Sequence, residues 1–327
     1  MAEVRGNDRV RILWIGIATL GIFAVVVLIG WALGLDGSSS PGLGAQRLET
    51  VSSFENAIGA GEEDTARVAR LGQLDIAVHE SSGVAVSRDR PGVLWTHNDG
   101  NTSQLHAVHH DGSLVGTVDV TGVDVVDWED VALGPCPTDG PTDRDCLYLG
   151  DIGDNEAVRD AYSIDIIPEP DPGAGSETPA LRRVFFRYPD GPADTESLAL
   201  APNGDAVLIT KGNDGSSRVY RLPLSTSTDA ARPREAVLLA TLPLDVRDGS
   251  DRITGGAVSP AGDRLAVRNH HAVYLFPMTD PGGTPLVCEI GVRQPQGEAV
   301  DFLTADRLIL TSEEEGGLAP IVRLRCP

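Results

Sequence analysis

Glu129, Glu196 and Glu298 each stand at the start of a short apolar run, in EDVALG, ESLALA and EAVDFL. Asp127-Trp128, Asp194-Thr195 and Gln296-Gly297 lie just upstream of them. Ser82 in SGVAVS and Thr254 in TGGAVS hold the matching place in two further runs. A second series of polar clusters follows a later apolar run in each case: His97-Asn98-Asp99, Asp151-Ile152-Gly153-Asp154-Asn155, Lys211-Gly212-Asn213-Asp214, Arg268-Asn269-His270-His271 and Glu313-Glu314-Glu315. Carboxylates that converge repel one another unless cations or donors intervene. A hard cation resolves this. Calcium takes six to eight oxygen ligands with no fixed sequence spacing. Asp99, Asp127, Glu129, Asp151, Asp154, Glu196 and Glu298 are the candidate metal ligands, and Ca2+ is the cofactor they would suit. DIGDN (151–155) shares only its composition with an EF-hand loop.

Two reactions fit such a set. A metal-bound water could attack an ester or phosphoester. A carboxylate pair could serve as acid and base on a glycosidic bond. Glu129, Glu196, Glu298 and Lys211 are then the catalytic candidates. Recognition of a ligand or partner is the leading reading, and hydrolysis is the alternative. The candidate residues for recognition are His97, Asp99, Asp127, Trp128, Asp154, Asn155, Asp194, Lys211, Asp214, Arg268 and Gln296. No GxSxG elbow marks a nucleophilic serine. The histidines form no clear zinc set.

The elements that must hold these residues recur. Each cluster belongs to a unit of short strand, turn, second strand and polar group, and the units begin at residues 82, 129, 196, 254 and 298. Two more strands follow in most units, such as YSIDII (162–167) with RRVFFRY (182–188) and AVYLF (272–276) with PLVCEI (285–290). Four strands per repeat of this length predict an all-β, five-bladed β-propeller. The long interval between residues 129 and 196 leaves a degenerate sixth blade open. The column Ala85, Ala132, Ala199, Ala257 is small, as crowded innermost strands require, and Asp301 is its exception. The fifth unit lacks a fourth strand, and RVARLGQLDI (67–76) is placed to supply it and close the ring.

Strands within a blade run antiparallel. The loop into the first and the loop out of the second therefore open on one face. Nearly all the conspicuous polar groups fall there, while the other face takes ordinary turns such as PNGD and PAGD. Asp-Gly and Asn-Asp also form turns for purely structural reasons. Trp128 reads first as a wedge between blades and second as a stacking platform.

Export is the expected context. Residues Ile12 to Leu35 carry no charge and make about 36 Å of helix, enough to cross a bilayer. Arg5, Arg9 and Arg11 precede the stretch, which puts residues 1–11 in the cytoplasm. A linker (36–64) would then lead to an extracytoplasmic domain (65–327). Localisation is thus the cell membrane, single-pass, with the bilayer as one partner. A cleaved signal peptide is the rival, disfavoured by the length of the apolar run. The four cysteines suit an oxidising compartment. Cys136 and Cys146 bracket a Pro/Asp/Gly-rich loop, and Cys288 and Cys326 pair by exclusion. The net charge of -22 argues against nucleic acid as a partner. A small molecule or an envelope protein is expected instead.

The phrases SGVAVSRDRPGVLWTHNDG, VDWEDVALG, YLGDIGDN, YPDGPADTESLAL, TKGNDG, ITGGAVSPAGDRLAVR and QGEAVDF resemble those of membrane-anchored β-propeller proteins of actinobacteria. The likeness spans roughly residues 75–327. More distantly the chain resembles esterase-like and phytase-like propellers. That resemblance implies a calcium-dependent extracytoplasmic propeller, hydrolytic in some members. The chain departs from phytases in lacking a basic phosphate-binding set.

Overall fold

Short alternating runs broken by Gly, Pro, Asp and Asn can bury a face only by pairing as strands. The computed structural model describes residues 67–138, 140–172, 176–225 and 228–327. The expected anchor (12–35) and linker (36–64) lie outside the described residues. Among the described residues no helix is long and apolar enough to cross a membrane.

The chain enters through β1 (Val68–Gln73). The first blade contains β2 (Ser81–Val86), β3 (Val93–Asn98), β4 (Gln104–His109) and β5 (Leu114–Thr121). The second contains β6 (Trp128–Pro135), β7 (Asp145–Asp151) and β8 (Tyr162–Pro168); β9 (Ser176–Pro179) then leads to its outer strand, β10 (Arg182–Arg187). The third has β11 (Thr195–Leu200), β12 (Ala206–Thr210) and β13 (Arg218–Leu222), with β14 (Arg234–Glu235) preceding β15 (Val237–Thr241). The fourth has β16 (Gly255–Val258), β17 (Arg264–Arg268), β18 (Ala272–Pro277) and β19 (Leu286–Glu289). The fifth has β20 (Gln296–Phe302), β21 (Arg307–Glu313) and β22 (Pro320–Arg325), and β1 completes it by pairing antiparallel with β22. The ring closes as the sequence predicts, with five blades.

The long second interval does not hide a sixth blade. Its extra residues form β9, which pairs parallel with β5 at the outer edge of the first blade. In the same way β14 pairs parallel with β10 at the edge of the second. Each insertion covers an edge that would otherwise expose unpaired backbone.

Five apolar clusters hold the ring, one at each junction between blades. Trp95, Leu105 and Val118 meet Trp128, Val131 and Leu149 between the first and second. Ile164, Ile166 and Phe186 meet Leu198, Leu208 and Tyr220 between the second and third. The third and fourth join through Val207, Ile209, Leu265 and Val267, the fourth and fifth through Leu275, Val300 and Leu310, and the fifth and first through Ile309, Ile321, Val84 and Leu94.

Polar clasps tie the innermost strands together as well. Asp130 accepts from the backbone N–H of Leu198 in the next blade at 2.8 Å. Asp301 accepts from Val86 N–H at 2.7 Å. That contact accounts for the exception in the small-residue column: Asp301 joins the last blade to the first. Two disulfides form, Cys136–Cys146 across the β6–β7 turn and Cys288–Cys326 from β19 to the residue after β22. The second fastens the last blade to the fourth.

Candidate functional site

The three glutamates occupy one peculiar backbone position. Trp128 pairs with Asp151 and Asp130 with Gly150, so Glu129 faces no partner on β7. Thr195 pairs with Thr210 and Ser197 with Ile209, leaving Glu196 extra on β11. Gly297 pairs with Ser312 and Val300 with Leu310, so Glu298 and Ala299 share one opposing residue. Ser82 and Gly83 do the same between the Ser81–Asn98 and Val84–Thr96 pairs. Four of the five inner strands therefore bulge where the polar column stands. A bulge turns a side chain out of the regular alternation, and here it turns carboxyl groups inward. The hydroxyls in the column have another task. Ser82 Oγ donates to Glu129 O at 2.7 Å, and Thr254 Oγ1 donates to Gly297 O at 2.8 Å. Each clasps the next blade at the start of its inner strand.

Two groupings of carboxyl oxygens result, with the atoms of each within 4.8 Å of one another. One is Asp99, Asp127 and Glu129; the other is Glu129, Asp194 and Glu196. Glu129, Asp194 and Glu196 are each only 4% exposed. The Lys211 ammonium pairs with Glu196 and stands 3.6 Å from Asp194 Oδ2. Gly153 closes in from the β7–β8 loop. A Cβ built there would land on Glu129 Oε1 and Asp127 Oδ2 and 2.6 Å from Asp127 Cγ. Only glycine lets that backbone approach both acids.

The protons follow from this crowding. Burial, then the Asp99 and Asp194 charges, pushes Asp127 up to about 6. Burial and Glu196 hold Glu129 well above the usual carboxylate range. Glu196 rises to about 7 by burial, against the pull of Lys211. Glu298 rises to about 8 by burial and the Glu196 charge, and Glu313 to about 7 by burial and Asp99. Burial opposes the charge of Lys211, but Glu196 and Asp194 more than offset it and raise its pKa.

The remaining expected residues fall elsewhere. Asp151 and Asp154 are buried with their oxygens already bonded. Asp151 Oδ1 accepts from Arg159 at 2.8 Å and from Asp127 N–H at 3.1 Å, and its Oδ2 accepts from Val126 N–H at 3.1 Å. Asp154 accepts from Val158 and Arg159 N–H, both at 2.9 Å, and from the Tyr162 hydroxyl at 2.7 Å. These two acids shape the loop that presents Gly153. Trp128 is fully buried, edge-on to the equally buried His97 at 5.8 Å, which is the wedge arrangement. Arg268 is also fully buried. It donates to Ala299 O at 2.7 Å, Thr311 O at 3.0 Å and Gln294 Oε1 at 2.6 Å, tying the fourth blade to the fifth. Asn155, Asp214 and Gln296 are exposed. Glu298 stands outside both oxygen groupings, though Glu196 acts on its charge.

Asp194, which the sequence places on the binding face, joins the carboxyl set itself. The signal lay in the repeated D-x-E of DWE and DTE. Its Oδ1 accepts from Asp154 N–H at 2.8 Å and its Oδ2 from Asn213 at 2.9 Å. Glu313 and Gly153 carried no distinguishing signal beyond membership of the second series of clusters.

No protein-family model and no curated protein matches this chain. Among solved structures it is similar to the PQQ-bound aldose sugar dehydrogenase of Streptomyces coelicolor, at 12% identity over 79% of this chain and 97% of that one, with a TM-score of 0.47. It is similar to a gluconolactonase of Xanthomonas campestris at 14% identity over 81% and 91%, with a TM-score of 0.41. A putative glucose dehydrogenase of Thermus thermophilus shows 11% identity over 79% and 99%, with a TM-score of 0.43.

The raised acids make stability pH-dependent. A carboxyl whose folded pKa lies above its unfolded value binds its proton more tightly in the native state. Its contribution is full below the unfolded pKa and is lost as pH rises through the folded value. With folded values of about 7 and 8 at Glu196 and Glu298, the metal-free protein is expected to melt highest near pH 5. Its Tm should fall steadily toward pH 8.5. A Tm that stays level or rises over that interval in chelator contradicts the assignment.

Proposed function

We propose that the chain is a membrane-anchored, extracytoplasmic propeller whose acidic mouth binds a ligand or partner through a divalent cation, Ca2+ by its chemistry. One observation carries this reading: carboxyl groups from neighbouring blades meet within 4.8 Å, exposed Asp99 and half-buried Asp127 with buried Glu129 in one grouping, and buried Glu129, Asp194 and Glu196 in the other, where the Lys211 ammonium sits. Uncompensated buried charge is costly, and neutralisation by an ion or a proton must follow. The donors are all oxygen, which suits a hard cation and not zinc or copper. Asp99, Asp127 and Glu129 would hold it, and the ligand would complete its coordination with oxygen atoms of its own. The uncharged segment 12–35 and the arginines before it support the anchor and its orientation. The two disulfides support an extracytoplasmic setting.

A second reading rests on the protonation pattern. Carboxyls that hold protons near neutrality beside ionised ones form an acid–base arrangement, and Glu196 and Glu298 supply it. In that case the mouth is a hydrolase site for an ester, phosphoester or glycoside. Glu129 would hold the cation or exchange the proton.

Calcium added to the metal-free chain should raise its Tm in proportion to the logarithm of its concentration. At a hundredfold excess over Kd the gain is about 2.7 kcal/mol, or about 5–10 °C for a domain of this size. No shift, together with no metal by elemental analysis, removes the cation. A panel of ester, phosphoester and glycoside substrates separates the two readings. Turnover that Glu129→Gln abolishes while the fold persists establishes the hydrolase, and silence from the wild-type chain leaves the binder.

A further inference from the structure

The two carboxyl groupings differ in a way their composition does not suggest. Both contain Glu129. The second, with Asp194 and Glu196, already contains a cation: the ammonium of Lys211, the only lysine in the chain. Asp194 is further satisfied by Asn213 and the Asp154 N–H. The first contains none. Among the described residues, Asp99, Asp127 and Glu129 make no ion pair. Glu129 is 4% exposed, and the one hydrogen bond its carboxyl receives from a described residue comes from Ser82 Oγ, to Oε2 at 3.4 Å. Its Oε1 lies toward Gly153, beside Asp127 Oδ2.

We propose that Lys211 is the tethered cation of the second grouping, so that the mouth takes one divalent ion, at Asp99, Asp127 and Glu129, and Lys211 fixes both its number and its place. This rests on the cation reading above. A flexible ammonium with three donors can neutralise carboxylates where a metal would otherwise be needed. It has no entropy of association to overcome, since the chain delivers it. A divalent ion arriving at the second grouping would have to expel a paired ammonium into a buried, partly desolvated site. One arriving at the first displaces no such cation. Because the groupings share Glu129, an ion in the first also draws on the acid whose neighbour Lys211 has neutralised. The lysine thereby lowers the repulsion that would oppose assembling the ligand set.

The test is calcium stoichiometry by titration calorimetry on the full chain in nanodiscs, with elemental analysis of the dialysed protein. The wild type should bind one equivalent. Lys211→Met should gain a second, and Lys211→Arg, which keeps the charge, should remain at one. Asp127→Asn should lose the wild-type equivalent, while Glu196→Gln should retain it. A Lys211→Met chain with unchanged stoichiometry overturns the proposal and leaves the cation reading intact. So does an ion lost in Glu196→Gln but kept in Asp127→Asn. If the wild type binds no calcium, the cation reading fails. The lysine assignment then survives only if Lys211→Met acquires an equivalent that the wild type lacks. Should Lys211→Met not fold, the Asp127→Asn and Glu196→Gln pair still decides where the ion sits.

Discussion

Buried carboxyl groups cannot be brought together without something to neutralise them, and the architecture of this protein converges on that difficulty. A regular antiparallel ladder sends alternate side chains to opposite faces of a blade. The bulges take Glu129, Glu196 and Glu298 out of that alternation, at one position in three blades, and bring Glu129 and Glu196 into one oxygen grouping. Once the acids are there, each available remedy appears. Lys211 supplies charge to Glu196. Raised pKa values let protons supply it elsewhere. Gly153 lets the β7–β8 loop come up to Glu129 and Asp127 with no side chain in the way.

This crowding is bearable because the ring around it is stiff. Each blade junction has its own apolar cluster. β1 and β22 join the two ends of the domain, and Cys288–Cys326 fastens the closing blade to its neighbour. Hydrogen-bonded clasps from Ser82, Asp130, Thr254, Arg268 and Asp301 cross between blades close to the inner strands. Polar residues near the mouth thus divide into two kinds. Some hold the blades in place and others form the carboxyl site, with Asp194 doing both through its bond from Asp154 N–H. A loosened ring would let the acids drift apart, which is the cheapest escape from their repulsion.

That division explains what was legible beforehand. The small column, the closing strand and the pairing of cysteines follow from periodicity and simple exclusion, and all three hold. The glutamate column was visible because the repeat aligns it. The roles of its neighbours were not. Asp127 and Asp151 look alike in sequence, but the Arg159 guanidinium and two backbone N–H groups claim Asp151. Arg268 reads as a ligand-binding cation until its carbonyl partners on the fifth blade are seen. The long interval after residue 129 reads as slack, and its use as an edge strand on the preceding blade depends on a long-range parallel pairing that no local pattern announces. Bulges leave a similarly weak trace, since one extra residue in a short strand looks like ordinary irregularity.

A divalent cation held by Asp99, Asp127 and Glu129 would be seen in anomalous diffraction from crystals grown with Mn2+ in place of Ca2+. A single anomalous peak is expected, bonded to oxygens of these three residues beside Gly153, with the Lys211 ammonium still seated on Glu196. An anomalous map with no peak there, and the three carboxyl groups closed instead onto donors of the chain, would contradict it.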